Sequence, residues 1–158
     1  MSDGLFTGIV QIGIVVADAE AAARKYRELL GIASWSINQV DTERGVGTGF
    51  RVLGKDSPTK AKIAWATVNG VEIELIEPRD DTSVYAEFLR SRGPGVHHIM
   101  LGTEDFEGAS AHLEDGGLAL IAEGELQQSR FQLFDGSAEL GVVVEIAEGE
   151  VLQADYSL

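Results

Sequence analysis

The sequence predicts an α+β fold in which two tandem βαβββ modules form a pseudo-symmetric half-barrel sheet around one site. Three features favour this fold. Short β-branched apolar runs alternate with helical patterns along the 158 residues. The element order of the first half recurs in the second half, as expected for an internal repeat. Polar side chains also occupy equivalent places within the apolar strands of both halves.

The first module opens with an apolar strand and a well-capped helix. Residues 9–16 are mostly Ile and Val, which favours a strand with little solvent exposure. Asp18 then provides an N-cap, apolar residues recur at helical spacing up to Leu30, and Gly31 suits the left-handed residue after a helix. A second strand is predicted over residues 34–40.

Residues 41–60 have the weakest pattern in the chain, and the strands after them have a strong one. Four glycines, one proline and mixed charge in residues 41–60 predict a hairpin or a long loop. Residues 62–68 and 71–76 are predicted to pair, because Asn69-Gly70 between them is a strong hairpin turn signal. This hairpin is expected to end the sheet of the first module.

The second module repeats this plan after a short connecting helix. That helix is predicted over residues 82–90, with Ser83 as its cap. A Gly-Pro-Gly turn then leads into a strand over residues 96–101, and Asp105 is expected to cap the next helix. Three further strands are predicted over residues 118–122, 130–134 and 140–146.

The spacing of polar residues supports the repeat. Gln11 and His98 lie 87 residues apart, and each lies seven residues before a helix-capping aspartate. Glu74 and Glu145, each inside the last strand of its copy, lie 71 residues apart. The shorter second interval places roughly 16 extra residues in the first copy, where residues 41–60 lie.

Composition restricts the partners and the compartment. The chain has no cysteine and a net charge of −14, so a thiolate metal site is excluded and nucleic acid or membrane partners are disfavoured. No apolar run approaches the roughly 18 residues of a membrane span, and no signal-type segment opens the chain, which favours the cytoplasm. The length suits one domain over residues 1–158, with modules at about 7–92 and 93–150.

Four polar side chains are predicted to converge on one site. Neighbouring side chains of a strand point to opposite faces, so His97 and His98 cannot both face that site, and His98 is assigned to it. Glu74 and Glu145 are flanked by apolar residues, where an unpaired carboxylate is costly to bury. If the modules meet at a pseudo-twofold axis, these groups and Gln11 form a nitrogen and oxygen ligand set for a divalent ion. Amphipathic strands with solvent-facing glutamates remain the structural alternative.

Four runs of the sequence resemble the vicinal oxygen chelate superfamily, which has the glyoxalase and bleomycin-resistance fold. The runs are Gln11–Asp18, Glu72–Pro78, Gly93–Ile99 and Val143–Ile146, and they span nearly the whole chain. The second and third runs, with Glu-Leu-Ile-Glu-Pro and Gly-Val-His-His-Ile, resemble methylmalonyl-CoA epimerases most closely. The resemblance implies one divalent Co, Mn, Ni or Zn ion. The implied metal ligands are Gln11, Glu74, His98 and Glu145.

The same resemblance implies an activity. A bound metal polarises a carbonyl while a carboxylate removes the proton on the adjacent carbon, so an epimerase or racemase is expected. Its substrate is an acyl-CoA or a small cyclic or aromatic ketone. Glu145 is the implied ligand that doubles as a base, and Glu43, in a Glu-Arg-Gly-Val stretch similar to that of the family's second base, is the other catalytic candidate. The residues expected to line the substrate pocket are Trp35, Phe50, Trp65 and Phe131.

Two other functions stay open from the sequence. Epimerases of this type usually have a histidine where this chain has Gln11. Eukaryotic-type glyoxalase I is similar in using a Gln, Glu, His, Glu ligand order, so a glyoxalase I-type lyase or isomerase is one alternative. A metal-free small-molecule-binding protein of the resistance kind is the other. The superfamily resemblance also implies a homodimer, and the expected partner is a small carbonyl compound.

Overall fold

A computed structural model describes residues 4–150 and 152–158, and in this part of the chain eleven strands form one mixed sheet with three helices. The helices are α1 (Ala19–Leu30), α2 (Val84–Arg92) and α3 (Phe106–Asp115). The strands are β1 (Gly8–Val15), β2 (Ser36–Asp41), β3 (Thr48–Val52), β4 (Lys55–Asp56), β5 (Lys60–Val68), β6 (Val71–Pro78), β7 (Gly95–Gly102), β8 (Ala119–Leu126), β9 (Ser129–Asp135), β10 (Val143–Gly149) and β11 (Tyr156–Ser157). None of the helices described is long and apolar enough to cross a membrane.

The strand order of the sheet has a pseudo-twofold axis at its centre. The order is β11-β2-β5-β6-β1-β7-β10-β9-β8-β3-β4. The first half contributes β2-β5-β6-β1 and the second contributes β7-β10-β9-β8, with β1 and β7 antiparallel at the junction. Each central strand also pairs in parallel with the last strand of its own half, β1 with β6 and β7 with β10. The predicted α+β fold, with two βαβββ repeats in a curled half-barrel, is confirmed.

Helices α1 and α3 cover the outer face of this sheet. On β6, Leu75 packs with Ala19 and Ala23 of α1, and its neighbour Glu74 points to the opposite, concave face. On β10, Ile146 packs with Phe106 of α3 in the same way. The alternation of strand side chains therefore separates an apolar outer core from a polar inner surface.

The insertion between β2 and β5 joins the two edges of the sheet. It contains a 3-10 turn over Thr42–Arg44 and a hairpin of β3 and β4, so the predicted hairpin is present. Strand β3 pairs antiparallel with β8, the outer strand of the second half. In the second half, only Gln127 and Gln128 separate the corresponding strands, which accounts for the extra length of the first copy.

The helix ends follow the predicted chemistry, and some strand boundaries differ. Asp18 accepts a hydrogen bond from the Ala21 amide at 2.9 Å, and Gly31 adopts the left-handed conformation at φ 72°. Trp35 precedes β2, and its indole N–H donates to the Ile32 carbonyl at 2.9 Å. The strand predicted from residue 140 begins only at Val143.

Two β-bulges lie at equivalent places in the two modules. The register of β1 against β7 shifts around Val10, directly before Gln11, and again around His97, directly before His98. A bulge inserts one unpaired residue and changes where its neighbours point. The strict alternation predicted for His97 and His98 is therefore broken, and their imidazole rings lie in contact at 5.4 Å between centroids.

Candidate active site

The four predicted polar residues come together at the centre of the sheet, on β1, β6, β7 and β10. His98 Nε2 lies 2.7 Å from a carboxylate oxygen of Glu145, 3.2 Å from Gln11 Oε1 and 3.6 Å from a carboxylate oxygen of Glu74. The His98 side chain is fully buried, and Gln11 is 6% exposed. The imidazole is thus surrounded by three oxygen acceptors.

A glycine makes room for the imidazole at this point. Gly13 pairs with Glu74 on β6 and with His98 on β7. A Cβ atom at Gly13 would lie 2.0 Å from His98 Cε1 and 2.2 Å from His98 Nε2. Any side chain at this position would displace the imidazole, so only glycine allows His98 to occupy its place in the cluster.

The surrounding carboxylates give His98 a positive charge. Burial alone lowers the pKa of His98, but the charges and hydrogen bonds of Glu145 and Glu74 outweigh burial and raise this pKa to about 10. His97 responds in the opposite way, since burial and the nearby charge of His98 lower its pKa to about 3. A protonated His98 donates from Nδ1 to the neutral His97 Nδ1, which lies 3.1 Å away.

Glu72 is a member of the cluster that the sequence analysis missed. Its carboxylate accepts a hydrogen bond of 2.6 Å from Gln11 Nε2, which leaves Gln11 Oε1 facing His98. Burial raises the pKa of Glu72. The hydrogen bond from Gln11 lowers this pKa, and the charges of Glu74 and Glu145 raise it, so the net pKa is above its usual value. Positions 72 and 74 share one face of β6, so the two-residue period was the signal that could have identified Glu72.

The donor set fits a divalent ion chemically. Ligands at about 2.1 Å from one ion and at right angles to each other lie about 3 Å apart. The distances from His98 Nε2 to the three oxygens, 2.7 to 3.6 Å, lie on either side of that value. As the side chains stand, His98 donates directly to Glu145, and within residues 4–150 and 152–158 no three His, Asp or Glu side chains are arranged as a metal-binding group. A metal would replace the proton on His98 Nε2.

A cavity of about 300 Å³ lies over this cluster and is largely apolar. Phe50 of β3 and Phe131 of β9 meet edge to face at 5.3 Å and form part of its wall. Trp65 and Tyr85 also line it. Because Phe50 belongs to the inserted hairpin, the insertion closes one side of the cavity.

Two predicted site residues lie away from this cavity. Trp35 is 1% exposed and packs against Tyr26 in the core beneath α1, so it cannot contact a ligand in the cavity. The Glu43 side chain is 58% exposed and forms an ion pair with Lys60. Glu43 lies on the 3-10 turn at the start of the insertion, which directs it to solvent.

We expect the metal-free protein to lose stability as the pH rises from about 7 to about 10. The pKa of His98 is about 10 in the folded state and 6.5 in the unfolded chain, so its stabilising contribution is complete below pH 6.5. Above pH 6.5 the unfolded chain releases a proton that the folded protein keeps. The free energy of unfolding then falls by up to about 1.4 kcal/mol per pH unit.

Urea unfolding at pH 7, 8 and 9 measures this slope. His98→Gln should remove it, and His112→Gln, at a helix position remote from the cluster, should keep it. Equal slopes in the wild-type protein and in His98→Gln would show that His98 is not held in the charged form.

A family model and a curated relative match most of this chain. The family model described as the glyoxalase/bleomycin resistance protein/dioxygenase superfamily matches residues 10–134. A curated ethylmalonyl-CoA/methylmalonyl-CoA epimerase of Cereibacter sphaeroides is 30% identical over 115 residues, which cover 72% of this chain and 74% of the relative.

Solved structures of epimerases share the fold. Methylmalonyl-CoA epimerase of Mycobacterium tuberculosis superimposes with a TM-score of 0.68 at 23% identity, covering 96% of this chain and 93% of that structure. A methylmalonyl-CoA epimerase in complex with methylmalonyl-CoA and NH4+ gives a TM-score of 0.66 at 24% identity, covering 94% of this chain and 99% of that structure. A single-substitution variant of the Streptomyces coelicolor methylmalonyl-CoA epimerase, in complex with 2-nitronate-propionyl-CoA, gives a TM-score of 0.63 at 23% identity, covering 92% of this chain and 99% of that structure.

Proposed function

Because this chain belongs to the glyoxalase/bleomycin resistance protein/dioxygenase superfamily, we propose that it is a divalent-metal-dependent epimerase or racemase. The reaction moves a proton at the carbon next to a carbonyl. The observation that supports this most is the buried cluster of an amide, an imidazole and two carboxylates beneath an apolar cavity. The similarity to curated and solved epimerases favours the isomerase class over the other activities of the superfamily.

Four side chains would hold the metal: Gln11, Glu74, His98 and Glu145. Their oxygens and nitrogen suit a borderline divalent ion such as Co, Mn, Ni or Zn. When bound, the ion supplies Lewis acidity that stabilises negative charge on a carbonyl oxygen. His97 then accepts a hydrogen bond from the other ring nitrogen of His98 and holds the ring in the orientation that directs Nε2 into the cluster.

Two carboxylates carry the proton in this proposal. Glu145 takes the proton from the carbon beside the carbonyl, and the electron pair of that C–H bond moves toward the carbonyl oxygen. Glu72, in its protonated form, returns a proton to the opposite face. Exchange with solvent then restores both carboxyl groups. Glu72 takes the role that the sequence analysis gave to Glu43, because Glu72 lines the cavity.

Deuterium exchange at the carbon beside the carbonyl tests this function. Protein loaded with Co, Mn, Ni or Zn should introduce deuterium from D2O into methylmalonyl-CoA or a small ketone, as followed by proton NMR. In chelator-treated protein the rate of deuterium exchange should be at least about a hundredfold lower. Conversion of a hemithioacetal without exchange into either substrate would favour the glyoxalase I-type activity. Ligand binding without a metal or exchange would favour a resistance-type binding protein.

A further inference from the structure

The charges around the cavity restrict the substrates that it can hold. The charged side chains that line it are all carboxylates, and in the described part of the chain no lysine or arginine lines it. They are Glu72, Glu74, Glu145 and Glu150. Glu148 also borders the cavity, but its side chain lies on the outer face of β10, where it pairs with Arg130. A carboxylate on a substrate would therefore face like charges. The positively charged His98 of the metal-free protein is fully buried beneath them and already pairs with Glu145 at 2.7 Å.

Four lysine and arginine side chains are adjacent in sequence to residues that line the cavity, and each already forms an ion pair with a carboxylate of the protein. Strand alternation places them on the face opposite their neighbours in the cavity wall. Lys62 pairs with Glu20 at 2.8 Å, and Arg130 pairs with Glu107 at 2.6 Å and with Glu148. Lys60 and Arg51 pair with Glu43 and Asp56 respectively. None of these four is free to turn toward a substrate anion without giving up an ion pair.

The proposed metal ion does not add a net positive charge to the site. Its two positive charges are matched by the two carboxylates among its ligands, Glu74 and Glu145. Glu72 adds a further carboxyl group that contacts a third ligand, Gln11. A neutral substrate leaves the site near charge balance, whereas an anionic one adds negative charge to a buried cluster.

The walls favour an apolar group beside the carbonyl. Phe50 and Phe131 line the cavity and meet edge to face, and Trp65 lines the same space. Val40, Ile63 and further aliphatic residues complete the lining. Aromatic side chains arranged in this way pack well against another aromatic ring.

We propose that the substrate is a neutral carbonyl compound that carries an apolar, preferentially aromatic, group and has no carboxylate near the reacting carbon. This inference rests on the proposed proton-transfer function and narrows its substrate class. It separates this chain from its relatives that are named for malonyl-type thioesters, whose acyl groups carry a carboxylate.

A matched pair of ketones tests the inference. Butyrophenone and 3-benzoylpropanoate share a phenyl ketone with an adjacent CH2 group, and they differ by a terminal methyl in place of a carboxylate. The metal-loaded protein should exchange that CH2 group at least about tenfold faster in butyrophenone than in 3-benzoylpropanoate or at the corresponding carbon of methylmalonyl-CoA. Quenching of Trp65 fluorescence should show tighter binding of butyrophenone in the metal-free protein as well.

A charge introduced into the wall provides the matched variant. Ala147 lines the cavity on the same face of β10 as Glu145. Ala147→Lys should improve binding of 3-benzoylpropanoate relative to butyrophenone by about tenfold, and Ala147→Met, similar in length but neutral, should not.

The outcomes distinguish this inference from the proposed function. Faster exchange of methylmalonyl-CoA or 3-benzoylpropanoate than of butyrophenone would overturn the substrate class and leave the proton-transfer function standing. Equal binding of the two ketones by the wild-type protein would also overturn the substrate class. No exchange in any of the three compounds by the metal-loaded protein would overturn the proposed function, and the inference with it.

Discussion

Glu145→Gln should lower the rate of proton exchange beside the carbonyl by at least about a thousandfold. The change removes the proposed base, and it also removes one negative ligand from the metal cluster. Glu145 is 9% exposed and its carboxylate lies 2.7 Å from His98 Nε2, so water has little access to take over its role as the base. Exchange of ketone protons in D2O, measured with saturating metal, reports the catalytic loss separately from the weaker metal binding.

Glu125→Gln is the control for this experiment, because Glu125 lies on an exposed position of β8 and does not line the cavity. Its exchange rate should stay within about twofold of the wild-type rate. A Glu145→Gln protein that keeps more than a tenth of the wild-type rate, with metal bound, would show that another group removes the proton.

Gly13→Ala should weaken metal binding by at least tenfold and reduce exchange in proportion. The added Cβ would lie 2.0 Å from the His98 ring, which is fully buried and contacts His97 on its other side. The imidazole must therefore move, and overpacking of this kind also costs about 1–3 kcal/mol of stability. Isothermal titration with Zn²⁺ and thermal unfolding measure the two effects.

Gly95→Ala is the matched control on the adjoining strand. Its added Cβ would meet only Phe88, at an ordinary distance of 3.9 Å, and Gly95 is not among the described glycines with positive φ. Metal affinity should be unchanged. If Gly13→Ala also binds Zn²⁺ with wild-type affinity, the position of the His98 ring does not determine metal binding.

The repeat explains why much of the fold could be predicted from the sequence. Capping by Asp18 and the turn at Asn69-Gly70 are local effects that depend on only a few neighbouring residues. The offset between Gln11 and His98 then shows which strands are equivalent, although they are far apart in the chain. Two equivalent central strands place their polar residues near one axis, so the four-residue cluster follows from the repeat.

The remaining features depend on contacts that no local pattern encodes. Strand β3 pairs with β8 of the other half, and the length and composition of residues 41–60 do not reveal that partner. The bulges at Val10 and His97 change side-chain directions without a sequence signal of their own. The family resemblance places Glu43 at the site, and the aromatic side chain of Trp35 suggests a pocket lining, but both residues lie in connections whose course depends on tertiary packing.

The number of divalent ions bound by each chain shows whether the buried cluster is a metal site. Wild-type protein titrated with Co, Mn, Ni or Zn should bind about one ion per chain, with release of the proton from His98 Nε2. Elemental analysis after gel filtration gives the stoichiometry. Binding of none of the four ions would contradict the proposed metal site, since the amide, imidazole and carboxylates would then form a metal-free hydrogen-bonded cluster.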